Sequence, residues 1–136
     1  MCKYEELLQD AFSAGVSVVE KNFCSDAKGL CKGSCIGIRY GMNNSEKACI
    51  LAEELGHYYT TVGNNLDQRD ISNQKQEYRA RAWAYERLLP LYEINRAILA
   101  GCHTFYDMAE YLDLDESFLQ EAFDYYSSKY GDRFWY

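Results

Sequence analysis

The sequence predicts an α+β fold, in which a small antiparallel sheet packs on a long helix and a C-terminal helical extension follows. Three observations carry this. Most of the chain repeats its apolar residues at helical spacing, one stretch near residues 16–40 is rich in Val and Ile and broken by glycines, and 136 residues with 48% hydrophobic content suffice for one core. The first element is an amphipathic helix from about Lys3 to Ala14, with Leu7, Leu8, Ala11 and Phe12 on one stripe and Gly15 as its stop. Val16, Val18 and Val19 mark a strand to Glu20, and Asn22 to Lys28 reads as loop. Leu30 to Tyr40 forms a hairpin around Lys32-Gly33, antiparallel throughout with the first strand. Asn43, Asn44 and Ser45 are cap residues for a helix carrying Ile50, Leu51, Leu55, Tyr58 and Tyr59, which runs to about Thr60. Val62 to Asp70 is polar and reads as a loop. A second long helix runs from about Ser72 to Leu89, where Pro90 disfavours helical geometry in the residue before it. Leu91–Leu99, Phe105–Leu112 and Ser117–Lys129 complete the helices. The organisation is one compact unit, a core over residues 1–90 with an acidic helical extension over 91–136 packed on it.

The net charge of −7 is lopsided. From Gly101 onward eight acids stand against Lys129 and Arg133, so that segment holds most of the excess. An acidic chain lacks the counterion-release term behind general nucleic-acid affinity, so no nucleic-acid partner is expected. No apolar run reaches the roughly 18 residues of a membrane span, and MCKYEELLQD is unlike a secretory leader, so no membrane partner and a cytoplasmic location are expected. In that compartment Cys2, Cys24, Cys31, Cys35, Cys49 and Cys102 read as thiols.

The informative stretch is Leu51-Ala52-Glu53-Glu54-Leu55-Gly56-His57-Tyr58-Tyr59. Residues at i and i+4 share a helix face, about 6 Å apart along the axis. Glu53 and His57 can therefore aim an oxygen and an imidazole nitrogen at one point, with Glu54 on the adjoining flank. This is the layout of the zinc-hydrolase helix His-Glu-x-x-His with Glu53 in the first histidine's place. A metal site needs a third ligand, and the next long helix offers Glu77. Against this stands the plainer reading, in which adjacent helical glutamates are a solvated face and a lone histidine is structural.

The run ILAEELGHYYTTVGN, followed by EYRARAWAYERLLP, resembles the ImmA/IrrE family of metallopeptidase-like proteins of phages and mobile elements. That family has a His-Glu-Leu-Gly-His helix, then a helix opened by a ligand Glu, with a Phe-Ala pair and a Leu-Met-Pro close. Here Glu77 opens the second segment, Trp83-Ala84 takes the pair's place and Leu88-Leu89-Pro90 closes it. GLCKGSCIGIRYGM is similar to the family's hairpin before the active helix. The resemblance implies a minimal zincin-like core. It assigns Glu53, His57 and Glu77 to the metal and Glu54 to the general base. It also implies a divalent metal cofactor, zinc first. Two carboxylates with one imidazole make a harder, more anionic site than the usual pair of histidines, which brings manganese or magnesium into range. The implied activity is metal-dependent endopeptidase cleavage of a helix-turn-helix repressor. The alternative is a weak or inactive relative that keeps the fold and sequesters a regulator, and Glu53 is the feature favouring it.

The remaining motifs favour packing. Tyr58, Tyr59 and Tyr85 could each stabilise an oxyanion, yet a chain with 13 tyrosines makes ring packing the better account. Cys24, Cys31 and Cys35 fit no structural zinc spacing. Cys49, one turn before Glu53, reads as a small buried thiol under the site. His103 to Tyr126 has a helix-turn-helix cadence, but its second helix offers Glu116, Gln120, Glu121 and Asp124 rather than base-reading cations.

Overall fold

A computed structural model describes residues 2–62 and 73–132. The order of elements is α1 (Lys3–Ser13), β1 (Ser17–Lys21), β2 (Gly29–Lys32), β3 (Cys35–Arg39), α2 (Asn44–Val62), α3 (Asn73–Leu88), α4 (Leu91–Leu99), α5 (Phe105–Leu112) and α6 (Glu116–Tyr130). The α+β class and the helical C-terminal part are as the sequence predicts. Most of the loop expected over Val62 to Asp70 lies outside the described residues.

The sheet is mixed, which corrects the expectation of an all-antiparallel one. Its order is β1-β3-β2, with β2 antiparallel and β1 parallel to β3. The cause is β3's place in the middle. The chain reverses between β1 and β2 and again between β2 and β3, so the strand inserted between them must run with β1. Burial explains the insertion, because Ile36 and Ile38 of β3 are fully buried whereas β1 is mostly exposed. The hairpin turn is also one residue later than Lys32-Gly33. Lys32 pairs with Cys35, leaving Gly33 and Ser34 as the loop, and Gly33 supplies the positive φ of 60° that a turn of this hand demands at its first position.

Helix α2 lies under this sheet and against α3. Its start is capped by Asn43, whose side-chain oxygen accepts the Glu46 N–H at 2.9 Å. Leu51, Ala52 and Leu55 of α2 join Ile36 and Ile38, Leu7 and Ala11 of α1, and Ala84 and Leu88 of α3 in one core. That core continues through Ile94 of α4 and Leu112 of α5 to Leu119 and Tyr126 of α6. The buried Tyr126 hydroxyl donates to the Leu89 carbonyl at 2.9 Å, and the Ser45 hydroxyl donates to Asp113 at 2.7 Å, tying the α5–α6 turn to the start of α2. Asp113 sits in the left-handed region as the cap of α5.

Candidate functional site

The site grows from the contact of α2 with α3. Small residues at helical spacing line it, with Ala52 and Gly56 on one helix and Ala80 and Ala84 on the other, all buried. At Gly56 the approach is so close that a Cβ there would lie 2.2 Å from the Ala80 carbonyl oxygen. Glycine is therefore required by space and not by φ. The next residue is His57, and Ala80 stands three after Glu77. The crossing thus sets the two side chains against each other, with His57 Nε2 3.3 Å from Glu77 Oε1.

That separation is informative. Two ligands sharing a tetrahedral zinc at roughly 2.0–2.1 Å stand about 3.3 Å from one another. The imidazole and carboxylate tips make a direct ion-pair contact, and their spacing is also that of two ligands on one ion. His57 is 25% exposed and Glu77 52%, so the pair opens to solvent, as a substrate-accessible centre must.

The two glutamates of α2 diverge. Glu54 turns to the sheet, where a Cβ on Gly29 of β2 would come within 3.1 Å of its Cγ and Oε2. Burial, reinforced by the charges of Glu53 and Glu77, pushes its carboxyl up to about 7. A carboxyl tuned near neutrality can both take and return a proton. Glu53 is also raised, first by burial. Arg81 opposes that rise, while Glu121 and Glu77 add to it. Among the described residues no three His, Cys, Asp or Glu side chains gather closely enough to hold an ion. His57 and Glu77 come together, and Glu53 stays one helical turn behind them.

Arg81, Tyr85 and Glu121 were not singled out together by the sequence, yet they surround Glu53. The Tyr85 hydroxyl donates to Glu121 at 3.2 Å, and burial followed by the Glu121 charge raises this phenol. Arg81 follows Glu77 by one turn on α3, a signal visible in the sequence. Glu121 comes from α6, and nothing local to the motif points to it. The other tyrosine candidates pack, since Tyr59 contacts Tyr58 and Trp83 with ring centroids 5.3 and 5.1 Å apart.

All six cysteines are free thiols. Cys31 and Cys35 are one residue out of cross-strand register, so their side chains leave opposite faces of the sheet. Cys49 is buried, and its thiol is pushed up to about 12, chiefly by desolvation. Native-state titration with an aromatic disulfide reagent is therefore expected to modify the exposed Cys24 and Cys35 within minutes and to leave Cys49 intact until the protein unfolds. Equal labelling of all three by mass spectrometry would contradict this burial.

Compared with known families, the chain matches the IrrE N-terminal-like domain over residues 11–123. Neither the curated proteins nor the solved structures compared with it gave a match. The matched span begins in α1 and ends in α6, so it takes in the sheet, both site helices and Glu121.

Proposed function

The chain belongs to the IrrE N-terminal-like peptidase family, and from that premise we propose that it is a metal-dependent endopeptidase whose substrate is a helix-turn-helix repressor of a phage or mobile element. The observation that carries the proposal is the 3.3 Å approach of His57 Nε2 to Glu77 Oε1, which joins the two motif helices at ligand spacing. We assign His57, Glu77 and Glu53 to the metal and Glu54 to proton transfer.

His57 and Glu77 already offer a divalent ion two donors at one point, zinc by the imidazole and manganese by the carboxylate, and Glu53, one turn behind them, is the third donor that the motif assigns. Such an ion, when bound, would polarise a water and the scissile carbonyl. The chain does the rest. Glu54 takes the water's proton on a carboxylate oxygen and passes it to the departing amide nitrogen. Strand β2 supports a peptide substrate. Lys28 O accepts from Arg39 N–H, so Lys28, Leu30 and Lys32 bond inward to β3, while the backbone of Gly29 and Cys31 faces the outer edge. An extended peptide can add to that edge beside Glu54.

A second reading, sequestration of a regulator without turnover, is favoured by Glu53, since an extra anionic ligand weakens an ion's Lewis acidity. Metal content separates this from loss of the centre altogether. Protein purified without chelator or metal-affinity steps is expected to hold about one divalent ion per chain. His57→Ala should abolish binding, and Glu77→Gln should weaken it at least tenfold. Full metal occupancy in His57→Ala would refute the ligand assignment.

A further inference from the structure

Beside Glu77 a cavity of about 610 Å³ opens between α3 and α6. One face of each helix forms it: Glu77, Tyr78, Arg81 and Tyr85 on α3, and Glu121, Asp124, Tyr125 and Ser128 on α6. With Gln74 at the start of the α3 set, both sets fall at helical i, i+3, i+4, i+7 spacing, so the trough is bounded by one stripe of each helix. The Tyr125 ring lies 6.1 Å from Tyr78 and 5.5 Å from Tyr85, giving an aromatic wall. The Tyr85–Glu121 hydrogen bond braces one carboxylate against that wall. Asp124 makes no hydrogen bond or ion pair among the described residues, leaving its charge for a ligand.

The chemistry of this trough selects a cation on an apolar stem. Tyrosine faces attract lysine or arginine heads and cover the methylenes behind them, as Tyr125 already does for Lys129, whose Nζ lies 5.6 Å from its centroid. Three carboxylates, Glu77, Glu121 and Asp124, stand against Arg81, and Arg81 also acts across α2 on Glu53. With Glu77 committed to a metal, Glu121 and Asp124 remain for the incoming side chain. The acidic C-terminal part adds a field that steers a basic segment toward it. Because Glu77 belongs both to the trough and to the proposed metal centre, a side chain seated there belongs to a residue next to the scissile bond.

We propose, on the peptidase reading above, that this trough is the specificity pocket for a lysine or arginine of the substrate, with Glu121 and Asp124 taking its charge and the Tyr78–Tyr125 wall covering one side of its stem. Binding tests it apart from turnover. The full chain is titrated with Nα-acetyl-arginine N-methylamide and with its neutral citrulline counterpart, and amide chemical shifts are followed by NMR. The arginine probe is expected to shift α3 and α6 resonances with at least fivefold tighter binding than citrulline. Asp124→Asn, at an exposed position that the fold does not depend on, should remove most of that preference. Glu121→Gln should reduce it too, with a native spectrum confirming the fold. Equal binding of the two probes, or shifts confined to other elements, would overturn the pocket.

Cleavage of paired peptides differing only in arginine or citrulline then separates the two readings. Arginine-selective binding without any cleavage keeps the pocket and rejects the peptidase. Cleavage indifferent to the basic residue, with no probe preference, keeps the peptidase and rejects the pocket.

Discussion

Gly56→Ala is expected to destabilise the protein by on the order of 3 kcal/mol and to weaken metal binding at the same time. At an exposed helical position the same change stabilises by about 1 kcal/mol, because alanine is the better helix former. Here the sign reverses. The new methyl would stand 2.2 Å from the Ala80 carbonyl oxygen and 2.9 Å from its carbonyl carbon. These are backbone atoms inside α3, so no rotamer change relieves the clash and the two helices must part. Overpacking of this kind costs roughly 1–3 kcal/mol and occasionally more. Moving α3 outward also carries Glu77 away from His57, so an ion held between them would lose its spacing. Urea unfolding gives the first quantity and metal titration the second. Ala80→Gly should not rescue the variant, because the obstacle is Ala80's carbonyl and not its side chain. A Gly56→Ala midpoint at or above that of the parent would show that α2 and α3 do not approach this closely.

The sequence carried most of the helical architecture, for a physical reason. Leu91–Leu99 and Phe105–Leu112 begin and end as expected because each has a local stop, Pro90 or Gly101 or the αL residue Asp113, beside a strong apolar stripe. The orientation of β1 had no such marker. Parallel or antiparallel pairing to β3 follows from which strand takes the centre, and that is decided by burial of Ile36 and Ile38 under helices distant in sequence. The candidate site divides the same way. Glu53, Glu54 and His57 are one helical turn of sequence and legible as a group. Glu77 needed a second motif on another helix. The facing stripe from α6, with Glu121 and Asp124, reads in sequence as a generic acidic surface. Only the packing of α6 on α3 turns it toward Glu77.

The largest effect on activity is expected from Glu53→His, paired with Glu54→Gln. Replacing an anionic oxygen ligand by neutral imidazole removes one unit of negative charge from the proposed centre. A bound zinc would become more electrophilic and its water more acidic. Arg81, whose charge now offsets Glu53, would be left facing the pair Glu121 and Glu77. Zinc affinity should rise, and cleavage of a neighbouring repressor should appear or increase by tenfold or more. Adding Glu54→Gln should then cut the rate by about 10²- to 10⁴-fold, the usual loss on removing a general base, while metal stays bound. The amide of glutamine keeps the shape beside Gly29 but cannot accept the proton. Metal loading must be equalised by mass spectrometry before rates are compared, so that an effect on affinity is not taken for one on chemistry. A Glu53→His protein that binds zinc fully yet cuts nothing would move the balance to the sequestering role. Parent protein that already cuts as fast as Glu53→His would mean that the carboxylate ligand does not dampen the reaction, and that Glu-Glu-x-x-His is a working form of this active helix.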